Sequence, residues 1–385
     1  MSTDPKQRSL TVVQVLPALE MGGVERGTLE VARRLVQEGH RSVVISAGGR
    51  LVEQLQAEGS IHLSWDVGAK RLTTLRWIPK IRHFLREQRP DVLHLRSRLP
   101  AWIAYRAWKG LKPVERPALV TTVHGFYTPG WYSSVMVRGE RIIAISESMR
   151  DYVLQHYPWV EAARIRVIHR GVDPGAYPYG YTPTAEWLQA WCAQYPHIQG
   201  KYVVTLPARL SRLKGQEDFI AVIAALRQKG VPVHGLLVGG THRRKHHYEK
   251  ELRALIAAQG LSDAITLLGH RSDLREIMAM SDVVLSLSRD PEGFGRVSLE
   301  ALTLGKPVVA YDHGGVGEQL AVILPEGRVP VGDQRQVVER LLAWYRTPPQ
   351  VPAQHPFTLE RMLTSTLEVY QDAVAAHRKI PTQRR

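Results

Sequence analysis

The chain has 385 residues, 44% of them hydrophobic and 23% charged, which is enough for two ordinary domains and excludes a disordered or fibrous polymer. A single cysteine, Cys192, excludes an intrachain disulfide and a Cys-rich metal site, and fits a reducing compartment. The 51 Lys+Arg against 36 Asp+Glu leave a formal charge of +15, an excess that suits an anionic partner: nucleic acid, an anionic lipid surface or a phosphorylated substrate.

In chain order, apolar runs alternate with helical patterns, the signature of parallel βαβ units. Residues 10–16 read as a strand, too short for a membrane span and lacking the cleavage pattern of a secretory signal. A helix over 25–37 carries Leu29, Ala32, Leu35 and Val36 on one face and ends at Gly39; a strand over 42–46 follows. Residues 91–95 and 119–123 are further buried strands, and 141–145 leads into a helix capped by Ser146. Residues 173–184 are dense in Pro, Gly and Tyr and predict a loop. After a short amphipathic piece over 186–195 the alternation restarts. Strands are expected over 202–206, 233–238, 265–268, 283–287 and 308–311, with helices from 216, near 248–259 and near 297–304. A closing helix over 358–375 carries Met362, Leu363, Leu367 and Tyr370 on one face. Two doubly wound α/β domains in tandem are the predicted result. No apolar run reaches about 18 residues, so no spanning helix is predicted.

The charge is uneven. Between Lys70 and Arg116 thirteen Lys/Arg meet only Glu87, Asp91 and Glu115. Further basic clusters stand at Arg243-Arg244-Lys245 and at Arg384-Arg385. Each reads singly as a solvated basic surface. Within and after the long stretch come Trp77, Phe84, Trp102, Tyr105, Trp108, Phe126, Tyr127, Trp131 and Tyr132. At least half of these aromatics are expected in the core; the rest, beside cations, suit an anionic membrane face or a phosphorylated glycolipid.

In doubly wound sheets ligands sit beyond the carboxyl ends of the strands, so the residues after each strand carry the chemistry. Gly22-Gly23 allow close backbone approach at a helix start, without the G-x-G-x-x-G spacing of a dinucleotide fold. Arg209 and Lys214, five apart after a strand, can neutralise a diphosphate, or be two surface cations. The most specific segment runs from Pro291 to Glu300, where Glu292 and Glu300 bracket the turn Gly293-Phe294-Gly295. Glu292 can accept from sugar hydroxyls. Glu300 can hold a ribose, or be an ordinary helix-surface Glu. Asp312-His313-Gly314-Gly315 is another glycine-rich strand-to-helix turn.

Together these pieces resemble the retaining GT-B glycosyltransferases of group 1, the glycogen-synthase-like family. The matching segments are M-G-G-V-E at 21–25, V-H-G at 123–125, R-G-V-D at 170–173, R-L-S-R-L-K-G at 209–215, L-L-G-H at 267–270, E-x7-E at 292–300 and G-K-P-V-V-A at 305–310. The resemblance covers nearly the whole chain. It implies two Rossmann-like domains facing across a cleft, 1–195 for the acceptor and 196–355 for the nucleotide sugar. A last helix, about 356–378, would pack back on the first domain. Arg209 and Lys214 would hold the donor diphosphate, Glu292 the donor sugar and Glu300 the ribose. Backbone amides of Phe294 and Gly295 would face the donor, with Gly293, His270, Gly22 and Gly23 also on the donor side. His124 would line the reaction centre, or be a strand-end His bonded to nearby backbone.

The segment that usually reads N-G-V-D has Arg170 in place of Asn, which favours a phosphorylated or acidic acceptor. The wording at 96–102 is similar to enzymes that elongate bacterial lipopolysaccharide core, so Arg96, Arg98 and Arg170 are the expected acceptor contacts. The resemblance further implies transfer of a hexose or heptose from a UDP-, GDP- or ADP-sugar to a glycolipid or oligosaccharide, by front-face displacement with no cofactor or metal required. Cytoplasmic localisation, at the inner face of an anionic membrane, is implied as well. A sugar-nucleotide epimerase or hydrolase of the same fold is the rival reading. A nucleic-acid-binding protein is a weaker one, since no reader motif accompanies the charge.

Overall fold

The computed structural model describes residues 8–20, 22–240 and 247–378. Met21, the 243–245 cluster and the two C-terminal arginines lie outside the described residues. The chain divides into two compact units, one of residues 1–169 with 360–385, the other of 170–359.

The first unit is built on seven parallel strands: β1 (Thr11–Val15), β2 (Arg41–Ser46), β3 (Ile61–Ser64), β4 (Val92–Leu95), β5 (Ala118–Val123), β6 (Arg141–Ala144) and β7 (Ile165–Val167). Their order is β3-β2-β1-β4-β5-β6-β7. The crossovers are α1 (Gly23–Gln37), α2 (Val52–Ala57), α3 (Trp77–Gln88), α4 (Arg98–Lys109) and α5 (Glu147–His156). Helix α1 forms where the sequence predicts it: Leu29, Val31, Ala32 and Leu35 are buried at helical spacing. Ser146 caps α5 by accepting from the Met149 amide at 3.2 Å. Asp91, expected to begin a strand, instead stands beside it and accepts from the Thr11 amide at 2.9 Å.

The second unit carries α6 (Ala185–Gln194), α7 (Gln216–Gln228), α8 (His247–Ala258), α9 (Leu274–Ala279), α10 (Arg296–Thr303), α11 (Gly314–Ile323) and α12 (Gln334–Arg346). Its strands are β8 (Tyr202–Pro207), β9 (Val233–Val238), β10 (Ile265–Gly269), β11 (Val283–Ser286), β12 (Val308–Tyr311) and β13 (Arg328–Val329), in the order β10-β9-β8-β11-β12-β13. All pairings are parallel. Both sheets therefore have the doubly wound form, with β1/β4 and β8/β11 as the points where strand order reverses.

The division falls at 169/170 rather than near 195. Helix α6 and the loop before it pack on the second unit: Trp191 joins Ile198, Val203, Leu236, Val238 and Ile277 in one cluster, and Trp187 Nε1 donates to Asp273 Oδ2 at 2.8 Å. The last helix, α13 (Leu359–Arg378), belongs to the first unit. There Tyr370 OH meets His94 Nδ1 at 2.7 Å, and His94 Nε2 meets Thr122 Oγ1 at 2.7 Å, all buried.

Candidate active site

In the second unit three strand-to-helix loops meet at the carboxyl ends of β8, β11 and β12. Their approach is close because glycine stands at the points of contact. Gly215, with φ of +73°, opens α7, and a Cβ there would lie 2.1 Å from the Leu287 carbonyl oxygen. A Cβ on Gly315 would lie 2.4 Å from Phe294 Cα, while the Gly315 amide donates to the Glu292 carbonyl at 2.9 Å. Backbone packs on backbone, and the Arg289 amide donates to Leu213 O at 2.9 Å to join the first loop to the second.

On this frame sits a compact charged cluster. Lys214 Nζ donates to Glu292 Oε1 at 2.6 Å and to Ser288 Oγ at 3.3 Å; Ser288 Oγ donates to Glu292 Oε1 at 2.6 Å. His313 Nε2 reaches the Ser288 carbonyl at 2.7 Å, so it carries the proton there. Burial alone would raise the Glu292 carboxyl, but the Lys214 charge and hydrogen bond, with Ser288, hold it below the usual carboxylate range. At neutral pH Glu292 is therefore a carboxylate. Arg209, on the same loop as Lys214, is exposed and its guanidinium makes no ion pair or hydrogen bond with the described residues. Arg212 is tied elsewhere, to Glu217 and Glu251 and over the Tyr248 ring.

A second ring of contacts braces the cluster. Buried Asp218, in the first turn of α7, accepts from Arg289 Nε at 3.0 Å, Tyr311 OH at 2.8 Å and Gln334 Nε2 at 2.7 Å. Burial alone would raise Asp218; these hydrogen bonds and the Arg289 charge hold it low. Sequence reasoning passed over Asp218 and Ser288, because neither stands inside a glycine-rich motif.

The other expected donor residues are placed as follows. Gly295, with φ of +80°, begins α10, and Phe294 is buried against Phe357. Glu300 is 4% exposed, so it is no helix-surface Glu; Arg296 Nε lies 3.9 Å from its Oε1. His270 is exposed just after β10, its Cβ 3.4 Å from where a Cβ on Gly240 would stand.

In the first unit, Gly22 and Gly23 open α1 at the carboxyl end of β1, and half-buried His124 follows β5. Three residues on, the Tyr127 ring lies 4.5 Å from the Arg98 guanidinium, which also covers Tyr132 at 5.3 Å. Trp102 and Trp131 stack at 4.3 Å, and Arg138 lies 5.8 Å from the Trp102 ring. Of the expected acceptor contacts, Arg96 and Arg170 are buried, 1% and 6% exposed. Arg96 turns inward, donating from Nη1 to Gln14 Oε1 at 2.7 Å. Most of the aromatics pack on the core as expected, leaving Trp131 and Tyr132 65% and 40% exposed. No helix among the described residues is long and apolar enough to cross a membrane. No cluster of three or more metal-ligating side chains occurs among them either.

Comparison with known proteins follows the same division. Residues 21–176 match the family model Glycosyltransferase Family 4, and residues 189–347 match Glycosyl transferases group 1. The chain is 29% identical over 262 residues to the D-inositol 3-phosphate glycosyltransferase of Salinispora tropica, a match covering 63% of this chain and 53% of that protein. It thus spans about half the length of that relative. The glycosyltransferase from Rickettsia africae ESF-5 superposes with a TM-score of 0.84 at 28% identity, over 96% of this chain and 99% of that one. Anabaena Alr3699/HepE, solved in complex with UDP and glucose, gives 0.74 at 22% identity over 96% and 98%. The fold shared with these structures is GT-B.

Proposed function

The chain belongs to the group 1 glycosyltransferases, and on that premise we propose that it moves a hexose or heptose, with retention, from a nucleotide diphosphate sugar to a phosphorylated or lipid-linked saccharide such as a lipopolysaccharide core. One observation carries the proposal: the Lys214–Ser288–Glu292 cluster, joined by glycine-lined loops at the reversal point of the second sheet, with Arg209 beside it. Lys214 and Arg209 supply positive charge where a diphosphate gains negative charge as it leaves. Glu292, ionised and fixed, accepts from hydroxyls of the sugar. Glu300 holds the ribose hydroxyls. The cluster neutralises charge without a metal ion.

The acceptor hydroxyl attacks the anomeric carbon from the face the diphosphate leaves. The bond to the phosphate oxygen breaks with both electrons, the new glycosidic bond forms, and the hydroxyl proton passes to the departing phosphate. Lys214 and Ser288 both engage Glu292 Oε1, which fixes the carboxylate in place as an acceptor. The similarity to an enzyme named for inositol 3-phosphate supports a phosphorylated acceptor.

A panel of UDP-, GDP- and ADP-sugars tested by thermal unfolding decides the donor. The true donor at a hundred times its Kd stabilises the fold by about 2.7 kcal/mol; a panel in which none shifts the transition would sink the proposal. Anomeric configuration of the product, read by NMR, decides retention.

One feature favours a second element, docking on an anionic membrane. The turn over Leu72–Arg76 exposes Leu72 and Leu75 by 88% and 55%. Lys70, Arg71, Arg76 and Lys80 stand exposed around them. Co-sedimentation with phosphatidylglycerol vesicles at low salt tests it; no binding, or binding unaffected by Leu72→Ser with Leu75→Ser, overturns it.

A further inference from the structure

The second unit has a cavity of about 420 Å³ that the donor cluster does not touch. Its walls come from the residues that precede the strands: Tyr202 at the start of β8, Asp282 just before β11, Lys306 just before β12. Trp344 and Tyr345, at the end of α12, close another side. The donor cluster follows the same strands at their other ends. The six residues of β8, at about 3.3 Å each, put roughly 20 Å between the two places.

The chemistry of the cavity is specific. Lys306 is half-buried, yet its Nζ makes no hydrogen bond or ion pair with the described residues. Burial depresses its ammonium, and the Asp282 charge offsets only part of that. The Asp282 carboxylate uses Oδ2 to accept from the Val203 amide at 2.6 Å. Burial works against both charges, lowering Lys306 and raising the Asp282 carboxyl, so a nitrogen donor and a carboxyl acceptor face one cavity with no ion pair between them. A bare anion would satisfy the first and be repelled by the second, and a cation the reverse. A hydroxyl both accepts and donates. Tyr345 adds a 42% exposed ring, held at 63° and 5.1 Å to that of Tyr202, as a flat apolar platform. The volume lies in the range of small-ligand sites.

We infer that this cavity is a second binding site, for a neutral saccharide, at the end of the sheet remote from sugar transfer. Vicinal hydroxyls span Lys306 and Asp282 while the sugar's apolar face lies on Tyr345. The site needs no nucleotide, so it stands or falls apart from the proposed transfer reaction.

The test uses the full chain, a panel of glucose, galactose, mannose and maltose as probes, and saturation-transfer NMR in the presence of saturating UDP. A signal from at least one sugar that persists with UDP bound is expected. It should weaken about tenfold or more in Lys306→Met, the cost of losing a hydrogen bond to a charged group. Tyr345→Ala, at an exposed ring, should weaken it as well and keeps the test decisive if Lys306→Met fails to fold. No signal from any sugar, displacement by UDP, or equal signal in both folded variants overturns the inference.

Discussion

The two units share a sheet topology but differ in the charged groups just beyond the carboxyl ends of their strands. In the second, ionised side chains meet at the carboxyl ends of the strands, with Lys214 on Glu292 and Arg289 on Asp218. Glycine backbones hold the loops that carry them. In the first, polar groups turn inward, as in the Thr122–His94–Tyr370 line and Arg96 on Gln14, while Arg98 and Arg138 lie over rings. A site fixed by backbone contact and paired charge suits a donor that must be held in one pose. A face of stacked rings and cations suits a partner held by apolar contact and charge.

The largest expected effect tests whether the charge in the second unit acts on the reaction. Lys214→Ala or Arg209→Ala should each lower turnover by about 3–4 kcal/mol of transition-state stabilisation, hundreds-fold in rate. Arg98→Ala in the first unit should change the KM for acceptor far more than turnover. Near-normal kcat in both donor variants would sink the diphosphate assignment and the contrast with it.

Next comes the backbone frame. Gly315→Ala drives a methyl into Phe294 Cα, where no side chain can yield, and should cost about 2–3 kcal/mol of stability together with donor affinity. Gly317→Ala meets mainly the Asp312 carboxylate, which can swing away, and should cost less. Equal losses by urea unfolding would mean that loop contact is not what fixes the site.

How far the sequence could be read follows the same line. Backbone devices leave a trace: Gly215, Gly295, Gly314 and Gly315 stand where loops touch, so the strand ends of the second unit and the carriers Lys214 and Glu292 were visible as motifs. Long-range braces leave none. Asp218 stands 71 residues from Arg289 and 116 from Gln334, and no local spacing announces such partners. Burial was equally hidden: nothing in the sequence marks Arg96 and Arg170 as covered, because a charge carries no sign of what lies over it. Edge strands such as β3, with no residue fully buried, lack the apolar run that revealed the central ones.

Asp218 offers the third test. With its carboxyl held low by Arg289, Tyr311 and Gln334, its stabilisation is complete above the unfolded value near 3.8 and fades as pH falls below it. Asp218→Asn should cost about 2 kcal/mol at neutral pH. It should also flatten the acid limb of the unfolding curve. A limb as steep as that of the wild type would assign the acid sensitivity to other carboxylates.

The smallest effect lies in the first unit and runs with the opposite sign. His377 on α13 meets Glu140 Oε1 at 2.9 Å, and that hydrogen bond, against the opposing pull of burial, raises the imidazole above its ordinary 6.5. A raised folded value means that the stabilisation is complete below about pH 6.5 and is lost as pH climbs through the folded value. Between roughly pH 6 and 8 the unit should lose no more than about 1 kcal/mol, the scale of a partly exposed ion pair. Glu140→Gln isolates this pair, because the amide oxygen can still accept from the Leu119 amide that Glu140 Oε2 now holds at 2.8 Å. A flat profile in that variant ties the slope to α13; an unchanged slope would show that the helix is held by Tyr370 and its apolar face alone.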